Sequence, residues 1–370
     1  MDLAGTEIIK KTPLYETHVA MGAKMAPFGG WLMPIQYDGI LSEHAHTRNE
    51  VSVFDICHMG EFMLEADPVS SGLDRIVTQN IVSMPIGSCR YGFILNEKGG
   101  ILDDLIVYRI KSDRWMIVVN AGTIPGDEQH FLKNLTGKYS FKNVSDKMGK
   151  LDIQGPKSKD VLVDIFGDGV KNLDYYKFSE FSLWGERCIV SRTGYTGELG
   201  YEVYIPADHV VKLWKLLLDD KRVKPAGLGS RDTLRLEMGY PLYGQDLDIA
   251  HTPIEAHFDK FVDLSKDFIG KGALLEEKKN GLNGLKESLI SFKADSRRSP
   301  RHGFGIFSEG DGRRIGTVTS GSFSPSLSVG IGMGYVSEPQ KIGARLMVKE
   351  GAVEIPVTVV KKPFYVKSSP

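Results

Sequence analysis

Apolar residues recur in two periods along this chain, and the period of two dominates. The stretch 51–66, VSVFDICHMGEFMLEA, alternates closely enough to predict strand, turn and strand, with Gly60 at the bend. The stretch 91–110 predicts a hairpin: YGFIL, then the turn NEKGG, then ILDDLIVYRI. Gly99 and Gly100 supply the positive φ such a turn needs. WMIVVNAG (115–122) predicts a strand ending at Asn120, and 151–166 predicts a strand, a Gly-Pro turn and a helix. Ser158 and Lys159 open that helix, and Val161, Leu162 and Ile165 form its stripe. Residues 187–205 read as strand, glycine loop and strand, with Tyr201, Val203 and Ile205 on one face and Glu202 and Tyr204 on the other. Helical spacing predicts short helices over 15–21, 40–49 and 127–135, and one that begins near Pro68 and ends by Gln79. Ser42, Asp208 and Ser230 read as N-caps of the helices that follow them. A polar, Gly/Asn-rich linker over 278–287 then precedes short strands with Gly/Ser/Pro turns. These predict an all-β barrel or sandwich of roughly ninety residues. Within it, VGIGMGY lacks the spacing of a dinucleotide loop and has no helix after it, so close strand packing explains its glycines.

Composition narrows the function classes. A chain of 370 residues predicts two or three domains. Its 41 glycines, about 11% against a usual ~7%, suit a turn-rich, strand-heavy protein. A net charge of −1 gives no basic footprint for nucleic acid or membrane surfaces. No run of apolar residues reaches bilayer length, and the opening MDLAGTEIIKK has no signal-peptide core, so a cytoplasmic protein is the expectation. Cys57, Cys89 and Cys188 form no CxxC pair, and the nine histidines include no HExxH, which argues against metal and disulfide frameworks. Cys57 beside His58 reads as a small buried residue rather than an activated thiol.

Four polar positions stand out against this apolar background. Asp103 and Asp104 interrupt the second hairpin strand and point to opposite faces. Their plain reading is solvation or protection of a sheet edge; the functional reading is an acid aimed into a site. Asn120 closes an apolar run with an amide that donates and accepts. Glu202 shares its strand face with Tyr204. Arg231, in a helix first turn, opposes the helix dipole by a few tenths of a kcal/mol, which hints at an anion nearby.

A set of motifs, in order, carries a family resemblance: KTPLYETHVAMGAKMAPFGGW (11–31), FDICHMGEF (54–62), NEKGGILDDLIVY (96–108), VVNAG (118–122), QGPKS (154–158), SRTGYTGELGYEVY (191–204), PAGLGSRDTLRLE (225–237), LYGQDLD (242–248) and SGSFSPSL (320–327). Over nearly its whole length the chain resembles the T-proteins of the glycine cleavage system, within the folate-dependent aminomethyltransferase family. The resemblance implies an α+β, β-rich, three-domain cloverleaf around a central folate-binding funnel. Its implied domains are a discontinuous folate-binding domain of residues 1–50 and 135–280, an inserted ferredoxin-like domain of 51–134, and a C-terminal β-barrel of 281–370. It implies transfer of an aminomethyl group from the lipoyl arm of an H-protein, a transient partner, to tetrahydrofolate, with release of ammonia, by a monomer that needs no metal. Asp104 is then the catalytic acid, facing the folate, and Asp103 faces away. Glu202 binds the pterin; Met59, Tyr91, Asn120 and Tyr195 line the same pocket; Arg231 meets the polar tail of folate. Two positions depart from the family pattern. Lys260 stands where a folate-contacting tryptophan is usual, and Cys57 replaces a serine. They leave open a folate-dependent demethylase of the same fold with another small methyl donor; a third reading, a non-catalytic folate-binding protein, is opposed by the intact Asp104 and Asn120.

Overall fold

The computed structural model describes residues 9–281 and 284–367. The chain divides into two compact units. The first holds Met1–Leu73, Ile81–Tyr91 and Leu105–Asp232; the second holds Asp74–Asn80, Gly92–Asp104 and Thr233–Pro370.

A six-stranded sheet organises the first unit. Its order is Phe178–Leu183, Glu186–Ser191, Gly200–Pro206, Met148–Gln154, Val51–Asp55 and Val223–Pro225, antiparallel except for the last pair. The strand Val51–Asp55 thus lies with residues 148–225 rather than with the segment that follows it. One face of this sheet is apolar: Val51, Val53, Leu151, Ile153, Val190, Tyr201, Val203 and Ile205 pack against Val161 and Leu162 of the helix Ser158–Phe166. The same core takes Val210, Leu213, Trp214 and Leu217 of the helix Val210–Asp219. Alternation then forces Ser52, Phe54, Lys150, Asp152, Gln154, Ser191, Glu202 and Tyr204 onto the opposite face, where they too are buried. A sheet covered on both sides, with one side polar, must satisfy that side internally.

The strands Gly60–Glu65, Arg114–Val119 and Ser140–Asn143 continue a five-stranded sheet with the hairpin Ser88–Leu95 and Ile101–Arg109. Phe131 of the helix Ile124–Asn134 meets Phe62 and Phe141 of that sheet. The hairpin turn at Gly100 needs glycine, since a Cβ there would stand 2.1 Å from the Ile249 carbonyl oxygen, within the second unit.

The second unit contains a closed six-stranded barrel, in the order Ser288–Ala294, Val329–Val336, Arg314–Ser324, Gly305–Ser308, Arg345–Glu350 and Val353–Val359. Phe292, Ile306, Val318, Val348 and Val357 fill it. The glycines of VGIGMGY serve close approach: a Cβ on Gly332 would lie 2.7 Å from the Phe292 ring and one on Gly334 2.5 Å from the Thr317 carbonyl oxygen.

Several boundaries differ from the sequence reading. The helix expected from Pro68 shortens to Leu73–Ile76. The helix Lys271–Asn280 runs into the expected linker 278–287, of which residues 282 and 283 lie outside the described residues. None of the three expected N-caps caps. Gly39 precedes the helix Ile40–Asn49, and the Ser42 hydroxyl donates backward to the Gly39 carbonyl at 2.8 Å. Asp208 sits in a one-turn 3-10 segment and accepts from His209 instead. Ser230 lies inside the helix Leu228–Glu237, donating to the Gly227 carbonyl at 2.9 Å. The carboxylate that does tie these ends is Glu43, which accepts from the amides of Tyr37 (2.6 Å), Gly39 (3.2 Å) and Gly227 (2.8 Å).

Candidate active site

The polar face of the six-stranded sheet carries the site residues of the first unit. Asp152 and Glu202 face each other across the antiparallel pair Met148–Gln154 and Gly200–Pro206. Each acid has its own cation. The Lys150 ammonium lies 3.2 Å from Glu202 Oε1, both side chains being enclosed. The same ammonium donates to the Met59 sulfur at 3.4 Å and sits 5.1 Å from the Tyr204 ring centre. Arg231 donates through Nη1 to Asp152 Oδ2 and stacks over Tyr195, with 4.9 Å between guanidinium carbon and ring centre. The anion that the sequence hinted at for Arg231 is therefore Asp152, whatever else the guanidinium meets.

A chain of hydroxyls closes on Glu202 from behind. Thr193 donates to Glu202 Oε2 at 2.5 Å, Ser191 bonds Thr193 at 2.7 Å, and Tyr108 bonds both Ser191 (3.1 Å) and Tyr204 (2.9 Å). Burial opposes charge on Glu202, but the Lys150 ammonium, the Thr193 hydroxyl and Arg231 outweigh it and hold the carboxyl below its usual range. Asp152 goes the other way, up to about 6, because burial and the facing Glu202 exceed the pull of Arg231. Two further acid–base groups lie nearby. Burial pushes Glu61 up to about 8 against the pull of Lys150, and its Oε1 makes no hydrogen bond among the described residues. Burial also pushes His58 down to about 4, so its imidazole is neutral. The Cys57 thiol donates to the Lys150 carbonyl at 3.3 Å and is raised well above its ordinary range by burial, the opposite of activation.

The structure brings Met59, Tyr195, Glu202 and Arg231 into this one network. Tyr91, in the strand Ser88–Leu95, and Asn120, just beyond Arg114–Val119, are half-buried in the same unit. Asp104 falls in the second unit, half-buried in the strand Ile101–Arg109, while its neighbour Asp103 is fully enclosed. Sequence reasoning missed Lys150, Asp152, Gln154 and Thr193. The signal was available: KLDIQ sets three polar side chains at every second position of a strand whose other face is core. No group of three or more His, Cys, Asp or Glu among the described residues is arranged to hold a metal ion. No helix among them is long and apolar enough to cross a membrane.

Comparison with known proteins covers almost the whole chain. Residues 14–266 match the family model described as the GCVT N-terminal domain, and residues 288–365 match the glycine cleavage T-protein C-terminal barrel domain. An aminomethyltransferase of Halothermothrix orenii is 44% identical, covering 89% of this chain and 92% of that protein. One from Caldanaerobacter subterraneus is 40% identical over 97% of each. The crystal structure of glycine cleavage system aminomethyltransferase T from Bartonella henselae superposes with a TM-score of 0.89 at 34% identity, covering 96% of this chain and 98% of that one.

Proposed function

This chain belongs to the glycine cleavage T-protein family, and from that membership we propose that it is an aminomethyltransferase that moves the aminomethyl carbon of a lipoyl-bound donor to tetrahydrofolate. The observation that carries this reading is about 40% identity to aminomethyltransferases over nearly the full length of both chains. The reaction balances without an oxidant. The carbon exchanges its bonds to sulfur and to nitrogen for bonds to two nitrogens of tetrahydrofolate, and sulfur leaves as the thiol and nitrogen as ammonia.

The residues present suit such a substrate. Glu202 is a buried carboxylate kept ionised by its neighbours, the state needed to accept two parallel N–H bonds from an aminopyrimidinone edge. Arg231 suits a carboxylate on the tail, and Tyr91, Tyr195, Met59 and Asn120 supply stacking, packing and an amide. Asp104 is the acid assigned to the reacting centre, where a carboxylate favours cationic character at the transferring carbon and positions it. A transient encounter with a lipoylated H-protein, a monomeric state and a cytoplasmic setting complete the reading.

The test is tetrahydrofolate-dependent ammonia release from an aminomethyl-loaded H-protein. The wild type turns over. Asp104→Asn binds tetrahydrofolate and loses on the order of a hundredfold or more in rate. Turnover of a methylated amine or sulfur compound, with none from the loaded H-protein, would transfer the assignment to a demethylase. Glu202→Gln weakens tetrahydrofolate binding; unchanged affinity removes Glu202 from the pterin site.

A further inference from the structure

Arg231 occupies the helix Leu228–Glu237 with only 13% of its side chain exposed. Its guanidinium carbon lies 4.9 Å from the Tyr195 ring centre and 6.0 Å from that of Phe54. Its hold on Asp152 is through Nη1 alone. The second oxygen of Asp152 is turned to Gln154 rather than to the guanidinium. Oδ1 already accepts from Gln154 Nε2 at 2.5 Å, and Gln154 is fixed in turn by the Thr196 hydroxyl (2.6 Å) and the Thr193 carbonyl (3.2 Å). Glu202, facing Asp152 across the strand pair, has its two oxygens on Lys150 and Thr193. Among the described residues neither Nε nor Nη2 of Arg231 has a hydrogen-bond partner. That is the edge on which a guanidinium presents two parallel N–H bonds.

We propose that Asp152, held by Gln154, is a positioning residue that fixes Arg231 end-on and so presents its Nε/Nη2 edge to a carboxylate of the substrate. The geometry separates two jobs. One acid on the strand Met148–Gln154 is spent on orienting the arginine, and its facing acid Glu202 is left for the heterocycle. The inference rests on the folate reading only for the identity of the carboxylate; the hold on Arg231 stands by itself.

The experiment compares wild type, Asp152→Ala, Asp152→Asn and Arg231→Lys against two ligands, tetrahydrofolate and 6-methyltetrahydropterin, which lacks the carboxylate-bearing tail. Asp152→Ala is expected to weaken tetrahydrofolate by about tenfold and to leave the pterin within about twofold. Asp152→Asn, whose amide oxygen still accepts from Nη1 but whose amide nitrogen meets the Gln154 Nε2 donor, recovers part of that loss. Equal weakening of both ligands makes Asp152 merely structural and overturns the proposal, as does undiminished tetrahydrofolate binding by Asp152→Ala. A second readout needs no ligand. The Nε–H resonance of Arg231, assigned by its absence in Arg231→Lys, is expected to be sharp in wild type and Asp152→Asn and exchange-broadened in Asp152→Ala; no change in Asp152→Ala also overturns the proposal. Failure of the wild type to bind tetrahydrofolate would sink the folate reading instead, and the resonance would still decide the role of Asp152.

Discussion

At the scale of single residues, the buried titratable groups make a pH prediction with opposite signs. Glu61 has a folded pKa of about 8 against about 4.5 for the free side chain, so the folded state keeps a proton that the unfolded chain loses. Its stabilising contribution is full below pH 4.5 and declines as pH rises toward 8, a span on the order of 5 kcal/mol at ~1.4 kcal/mol per unit. His58, with a folded pKa near 4 against 6.5, contributes above pH 6.5 and loses that contribution as pH falls through 4. Glu61→Gln mimics the protonated acid. Its thermal midpoint should sit close to the wild type at pH 5 and above it at pH 8, His58 cancelling at each pH. A gap that fails to widen means Glu61 is ionised in the folded protein. Legibility at this scale was uneven. Glu202 and Arg231 announce themselves, a polar residue opposite a core stripe and a cation at the wrong end of a dipole. The counter-charges Lys150 and Asp152 show only as alternating polar positions in KLDIQ; which partner each takes depends on the strand it pairs with and on Arg231.

At the scale of elements, periodicity located strands and helices well, since burial of one face dictates spacing however the chain is folded. The KLDIQ strand, the glycine loop before Gly200 and the barrel strands all follow their alternation. Helix ends were read poorly, because Ser42, Asp208 and Ser230 satisfy the local rule without capping, and the Gly227 amide is satisfied from far away. Glu43 takes the amide of Gly227, 184 residues on, along with those of Tyr37 and Gly39. Glu43→Ala strands these buried donors and is expected to cost about 3 kcal/mol or more in urea unfolding; Glu43→Gln, which keeps one acceptor, costs less. A loss under about 1 kcal/mol would show that water replaces the carboxylate.

At the scale of the whole molecule, the two units are not consecutive in sequence. The strands Ser88–Leu95 and Ile101–Arg109 and the helix Leu228–Glu237 each pass from one unit into the other. A hydrogen-bonded element does not fold by halves, so calorimetry should record one cooperative transition; two well-separated peaks would refute the coupling. The C-terminal barrel was legible from its turns, and glycine spacing in VGIGMGY fitted it. The interleaving was not, since composition does not change where the chain crosses between units. That interleaving bears on synthesis. The Ile101 amide bonds the His251 carbonyl, and the Lys266 ammonium caps carbonyls of Asp74 and Val77. A ribosome releasing the chain from its N-terminus therefore delivers Asp74 and Val77 long before the lysine that caps them, and those carbonyls stay uncapped until 189 residues beyond Val77 have emerged.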